Sequence, residues 1–332
     1  MATIEVENLS KIYESYRKKP GLRGSLKGLF HRETFFTSAV NGISFFVSEG
    51  ELVGFLGPNG AGKTTTLKML SGILYPTSGD AKVLGFTPAR RQREYQKQFA
   101  LVMGQKNQLW WDLPARESIL LNKEIYEIPD GEFERNLAEL SDLLEIRDIL
   151  DVPVRKLSLG QRMKCELVTA LIHDPKVLFL DEPTIGLDVV AQKNIRDFIR
   201  RYNQDRKTTV LLTSHYMEDI SQLCDRVIII DAGRIIFDGR LADLIQAYAP
   251  HKVITVTFAD CLPPVSRLQR YGELVEAGLY KAILRIPREE SKRIAADLLN
   301  SDLPVDDILI GEVAVDEVVR KIFQGRSGTN SG

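Results

Sequence analysis

Nine consecutive residues, Gly57-Pro58-Asn59-Gly60-Ala61-Gly62-Lys63-Thr64-Thr65, combine three glycines, a lysine and two hydroxyls. Glycines let successive backbone N–H groups turn inward around an anion, and a helix opening beside them adds its positive N-terminal end. The spacing G-x-x-x-x-G-K-[ST] carries this chemistry where a strand precedes it and a helix follows. Leu52–Leu56 reads as that strand, and the residues from Gly62 read as that helix. In such a loop Lys63 reaches the β- and γ-phosphates of a nucleotide and the Thr64 hydroxyl holds Mg²⁺. A second segment, Val177-Leu178-Phe179-Leu180-Asp181-Glu182, ends a buried apolar run in two acids. Neighbouring strand residues point opposite ways, so the two acids take different tasks. Asp181 suits the magnesium shell and Glu182 suits polarising an attacking water. Alone, such a pair would equally be a solvated strand end; beside a phosphate loop the chemical reading prevails.

The elements that must position these groups alternate along the chain. Strand-like runs occupy Thr3–Leu9, Ile43–Ser48, Phe99–Met103, Thr209–Thr213, Val227–Ile230 and Arg234–Phe237, the last two around an Ala232-Gly233 turn. Pro114–Tyr126, Phe133–Ile146, Gln161–Ile172 and Val189–Tyr202 read as helices, with Pro129, Asp130 and Gly131 as breakers between the first two. Short buried strands alternating with helices predict an α/β fold with a mostly parallel sheet. Past Ala247 the chemical motifs stop. Strands at Val253–Phe258, Tyr280–Ile286 and Ile308–Gly311, with helices at Arg288–Leu299 and Val315–Phe323, predict a small α+β appendage. The expected domains are 1–245 and 246–324, with a flexible tail at 325–332.

The 332 residues are 44% hydrophobic and 27% charged, which fits a globular chain with a substantial core. With 44 basic and 45 acidic residues the net charge is −1, so whole-chain charge gives no reason to expect nucleic acid as a partner. Cys165, Cys224 and Cys261 show no paired spacing and suggest neither a disulfide framework nor a zinc site. No stretch approaches the roughly 18 uninterrupted apolar residues of a membrane span, and the first residues lack a signal-peptide layout.

At this point the chain resembles the ABC ATPases. Leu157-Ser158-Leu159-Gly160-Gln161 is similar to their signature motif, with Leu159 in place of the first of two usual glycines. Ser158 and Gly160 open a helix, again an anion-binding geometry, although Ser158 could serve as an ordinary helix cap. Further elements fall in order. Gln105 resembles the glutamine that senses magnesium and water, Gly186-Leu187-Asp188 resembles the D-loop, and His215 resembles the switch histidine at the γ-phosphate. Tyr13 sits where the family places an aromatic that stacks on adenine. The resemblance covers about Thr3 to Leu244. Lys63–Gly72 and Pro76–Gly79 look like the branch of daunorubicin, antibiotic and polysaccharide exporters.

The resemblance implies a P-loop NTPase fold of ABC type, with an antiparallel β subdomain and a helical subdomain at about 105–170. It implies ATP and Mg²⁺ as cofactors, with Glu182, His215, Lys63 and Gln105 catalytic. Gly57 to Thr65, Tyr13, Ser158, Gly160, Gln161 and Asp188 would bind nucleotide, and Thr64, Gln105 and Asp181 would meet the metal. Because the signature faces ATP on the opposite subunit, it implies a second nucleotide-binding subunit, with a homodimer expected. It also implies an integral membrane permease and a peripheral place at the cytoplasmic face of the cell membrane. A soluble ABC protein acting on ribosomes or DNA is the rival. One cassette, and no sustained heptads between Lys63 and Ser158, argue against it. Trp110 and Trp111 could anchor a permease helix or pack a core. The basic stretch Arg17–Arg32 could lie on anionic lipid or be a solvated loop.

Overall fold

The computed structural model describes residues 2–16, 34–104, 106–214, 216–313 and 315–327. The basic stretch 17–32, Gln105 and His215 lie outside the described residues. The chain divides into two compact units, 1–239 and 240–332.

In chain order the first unit contains β1 (Ala2–Tyr16), β2 (Thr34–Ser48), β3 (Leu52–Leu56), α1 (Lys63–Leu70), β4 (Ser78–Val83), α2 (Arg93–Gln96) and β5 (Phe99–Met103). It continues with α3 (Ala115–Tyr126), α4 (Asp130–Leu143), α5 (Leu159–Leu171), β6 (Val177–Asp181), α6 (Val189–Arg206), β7 (Thr209–Thr213), α7 (Met217–Leu223), β8 (Arg226–Asp231) and β9 (Arg234–Arg240). A six-stranded sheet runs β5-β6-β7-β3-β8-β9. Its first five strands pair in parallel. β6 and β7 are buried at every position, which is why their centres, residues 177–180 and 210–212, are apolar without alternation. Their register sets Met103, Asp181 and Thr213 side by side at one end of the sheet. β8 turns into β9 through Ala232 and Gly233, both with positive φ, the conformation that a tight hairpin requires.

An antiparallel sheet, β2-β1-β4, packs beside the first. Ile4, Leu9, Val47, Phe55, Leu67 and Ile228 belong to one core shared by the two sheets and α1. β1 runs to Tyr16, well beyond the expected Leu9; residues 12–15 are exposed, and the stretch carries no apolar alternation to mark it as a strand. Lys11 pairs with Val40 and Ile12 with Ser38, so Ala39 is the extra residue of a bulge. α4 starts at Asp130 rather than Phe133. Pro129 fits the entry to a helix, and Asp130 and Glu132 favour its positive N-terminal end, so two residues expected to break the helix instead begin it.

The second unit holds α8 (Leu241–Tyr248), β10 (His251–Phe258), α9 (Val265–Leu268), β11 (Glu273–Ala277), β12 (Lys281–Pro287), α10 (Ser291–Leu299), β13 (Val305–Glu312) and α11 (Val315–Ser327). The unit begins at Arg240, so α8 belongs to it, and α11 continues past 325, where a tail was expected. Its antiparallel sheet runs β11-β12-β10-β13. β10 and β12 alternate, burying Ile254, Val256, Phe258, Ala282, Leu284 and Ile286 against Ile294 and Leu298 of α10. The strand β11 escaped prediction because its sequence, ELVEA, carries two acids among five residues and is largely exposed.

This separate core predicts that Leu284→Ala destabilises the second unit by about 2–5 kcal/mol. Calorimetric unfolding should show that loss, while nucleotide binding by the first unit persists.

Candidate functional site

The site grows from the ends of β3, β6 and β7. Beyond β3 the chain turns tightly, and two glycines there have no room for a side chain. A Cβ on Gly57 would lie 2.2 Å from the Ile230 carbonyl oxygen, and one on Gly62 would lie 2.5 Å from the Ala39 carbonyl oxygen. Gly60 and Gly62 also have positive φ, which glycine adopts without strain. The Ala39 bulge therefore presses directly on the turn. The turn, Ala39 and Glu182 enclose a cleft of about 450 Å³ lined by Ala39, Asn59, Gly60, Gly62, Lys63, Thr64, Thr65 and Glu182.

Lys63 begins α1 and is buried. Its ammonium donates to the carbonyl oxygens of Gly57 (2.7 Å) and Pro58 (3.0 Å), both in its own loop. Burial pulls this ammonium below the usual lysine range, and the nearby charges of Glu182 and Asp181 oppose that pull. An ammonium has three donors, so a phosphate oxygen entering the cleft would take the third or displace a loop carbonyl.

Asp181 ends β6 and accepts from two hydroxyls. Thr64 Oγ1 donates to it at 2.8 Å, and Thr213 Oγ1 at 2.7 Å. Among the described residues no cluster of three or more His, Cys, Asp or Glu could hold a metal by itself. A cation here would have only Thr64 and Asp181 from the described protein, with phosphate oxygens and waters completing an oxygen shell. That donor set fits Mg²⁺, which keeps waters and binds through one or two carboxylates plus substrate phosphates.

Glu182 has left the strand, with φ of 56°. Its N–H donates to the Thr213 carbonyl at 3.0 Å, and it is buried at the cleft wall. Gly104 abuts its backbone, since a Cβ there would lie 2.0 Å from the Glu182 carbonyl oxygen. The two acids thus part. Tyr13 also reaches the loop, its hydroxyl 3.4 Å from Thr65 Oγ1.

The signature residues stand elsewhere. Ser158 caps α5, its hydroxyl accepting from the Gln161 N–H while the Gln161 side chain accepts from the Ser158 N–H. Ser158, Leu159 and Gln161 are exposed. Gly160 is close-packed, because a Cβ on it would lie 2.9 Å from Ala191 Cβ. Leu159 packs over Gly186. Asp188 caps α6 through the Ala191 N–H (2.9 Å). None of the eight described residues lining the cleft comes from the start of α5 or α6.

Sequence reasoning missed a buried hub. Asp219 of α7 is fully buried and accepts from Thr184, from Ser214 at 2.6 Å and from Arg196 of α6 at 3.0 Å. Thr184 lies two residues after Glu182, and Ser214 directly precedes His215. One carboxylate therefore fastens both segments that follow β6 and β7. A lone Asp in a polar helix gives no sign of this. Only the fold brings Arg196, itself 2% exposed, against it. Breaking a buried ion pair by removing one partner costs about 3–5 kcal/mol. Asp219→Ala is expected to show that loss in denaturant unfolding, and to lose hydrolysis beyond the loss of folded protein.

Residues 40–185 match the ABC transporter family, and residues 250–311 match the C-terminal domain of EvrA-like ABC transporters. The ABC transporter ATP-binding protein NatA of Bacillus subtilis (strain 168) is 35% identical over 209 residues, 63% of this chain and 85% of that protein. The Nod factor export ATP-binding protein I of Burkholderia orbicola (strain AU 1054) is 37% identical over 221 residues, 67% of this chain and 72% of that protein. Among solved structures, an ATP-binding subunit of an ABC transporter superposes with a TM-score of 0.61 at 26% identity, over 74% of this chain and 93% of that one. On this kinship and this fold, the chain belongs to the ATP-binding, ATP-hydrolysing subunits of ABC transporters.

Proposed function

We propose that two copies of this chain close around MgATP and that their closure drives export through separate membrane permease subunits. The observation that carries this is the incompleteness of the cleft: Lys63, Thr64 and Glu182 line it, and the exposed Ser158 does not. Head-to-tail contact of two identical chains would complete two such sites by symmetry. In each, the Gly57–Thr65 turn would hold the phosphates, Tyr13 would stack on adenine, and Ser158, Gly160 and Gln161 of the second copy would face the γ-phosphate. The Ser158 hydroxyl still has a donor and a second lone pair for that contact. Thr64 and Asp181 would hold Mg²⁺, which neutralises charge on the phosphates when bound. Glu182 would orient water, with Gln105, His215 and Asp188 completing the set. These roles for Gln105 and His215 rest on their place in the chain, beside Gly104 and Ser214.

Export is supported by the likeness to the Nod factor export ATP-binding protein. Among the described residues no helix is long and apolar enough to cross a membrane. The membrane passage is therefore assigned to a permease, with this chain peripheral at the cytoplasmic face. Trp110 and Trp111 are 50% and 51% exposed, and Leu113 beside them is also exposed. Aromatic side chains displayed in this way suit an interface anchor better than a core. Nucleic acid has no place in this reading.

Glu182→Gln is expected to bind ATP, to lose hydrolysis by about 100-fold or more, and to elute as a dimer with MgATP in size exclusion. Ser158→Arg in that background should stay monomeric while still binding nucleotide. A dimer that persists with Ser158→Arg would refute the shared site. Lys63→Ala should abolish nucleotide binding or hydrolysis. Replacing Trp110 and Trp111 together with Ala should leave the ATPase folded and abolish co-purification of a membrane subunit; undiminished transport would count against that contact.

A further inference from the structure

The signature helix carries a buried charge that the proposed mechanism does not use. Glu166 lies on α5, two turns beyond Ser158, and is 2% exposed. A carboxylate so placed is costly unless other groups meet it. Two groups do. The Arg162 guanidinium stands 3.7 Å away, one turn back on the same helix. The Gln108 backbone N–H, in the loop that follows Gln105, lies close enough to favour its ionised form. That loop leaves β5 at Gly104, against the Glu182 carbonyl, and is tied back to β5 by the Gln108 side chain, which donates to the Leu101 carbonyl at 3.0 Å. It ends at the tryptophans, and the Arg162 guanidinium lies over the Trp111 ring at 5.9 Å. Its far end is held to the segment before α5, where the Arg155 N–H donates to the Trp111 carbonyl at 3.0 Å and Arg155 pairs with Asp112 at 3.1 Å.

We infer that Glu166 is a positioning residue: it holds the Arg162 guanidinium of the signature helix over Trp111, at the far end of the loop after Gln105, and so links that helix to the surface where a partner binds. A partner that engages Trp111 changes where the Arg162 guanidinium rests. Arg162 is the cation beside Glu166, so the change reaches α5 and hence Ser158. The inference rests on the proposed role of Ser158 and of the tryptophan surface.

Burial pushes the Glu166 carboxyl up to about 7, with Arg162 and the Gln108 N–H drawing it partly back. The elements packed on α5 are α3, α4, α6 and β5. Among the described residues, Arg162 and the Gln108 N–H are the groups that bear on this carboxyl. The adjoining Cys165 thiol is raised to about 12 by burial and stays neutral. Glu166 is therefore ionised and holds Arg162 above neutral pH, and releases it below.

The chain has two tryptophans, so Trp110→Ala leaves Trp111 as the only one. In that full-length protein, Trp111 fluorescence is expected to titrate with a midpoint of about 7, and adding Glu166→Gln should abolish the step. In the otherwise native chain, Glu166→Gln should lower kcat for ATP by roughly fivefold or more with KM held, at an unchanged melting temperature. Arg162→Gln, which removes the partner and keeps the carboxyl, should lower kcat in the same way if Glu166→Gln folds poorly. A step that survives Glu166→Gln, or native kcat in both variants, would overturn the inference. The fluorescence arm needs neither nucleotide nor dimer, so its failure is distinct from failure of the shared site.

Discussion

A phosphate-binding turn works only where backbone N–H groups can approach an anion without side chains in the way. Here that constraint is met by close contact of carbonyls against glycines. Ile230 at the end of β8 occupies the space of a Gly57 side chain, and Ala39 occupies that of Gly62. The turn is therefore clamped between the parallel sheet and the bulge of β2, and its shape is fixed before any ligand arrives. The parallel register does the rest. With β3 beside β7, and β7 beside β6, the residues after all three strands converge on one edge. That edge is where open α/β sheets bind ligands.

Convergence creates an electrostatic problem, because Asp181, Glu182 and Lys63 are all buried within one small volume. The fold answers with hydroxyls and backbone groups. Thr64 and Thr213 donate to Asp181, while two loop carbonyls accept from Lys63. These neutral partners can be exchanged for a cation and phosphates without leaving a charge stranded. The Asp219–Arg196 pair behaves differently. Its carboxylate is enclosed by Thr184, Ser214 and Arg196. Such a network stabilises little against an apolar alternative, yet it fixes geometry firmly. It does so at the segments next to Glu182 and His215, the residues to which the proposed reading assigns hydrolysis.

What the sequence disclosed and what it withheld follow one physical line. The Gly57–Thr65 turn and the Asp181-Glu182 strand end are contiguous, and their chemistry depends on local spacing. β3, β5 and β7 were legible to the residue because each is a short, mostly apolar run, with β7 buried at every position and β5 at alternate ones. The distal half of β1, β11 and the start of α4 were not, since exposed strands lack alternation and the acids that open α4 resemble breakers. Ala39, Asp219 and Glu166 were invisible for another reason. An alanine at a bulge, an aspartate in a short helix and a glutamate in an amphipathic one have ordinary local contexts. Each acquires its role from residues that are distant in sequence: Gly62 for Ala39, Arg196 for Asp219 and Gln108 for Glu166.

An isolated helix N-terminus with a capping serine is stable as it stands, as the reciprocal Ser158–Gln161 bonds attest. Nothing in the folding of one chain demands a phosphate there. On the proposed reading, the demand arises only between copies: the γ-phosphate is held from one side by the Lys63 turn and meets Ser158, Gly160 and Gln161 of the second copy on the other. ATP binding then favours association, because the second copy supplies those donors. Hydrolysis removes the bond that connected the two sides and so favours separation. A chain whose catalytic set is split in this way cannot hydrolyse ATP without moving relative to its partner. That obligatory motion is what a transporter needs from its motor.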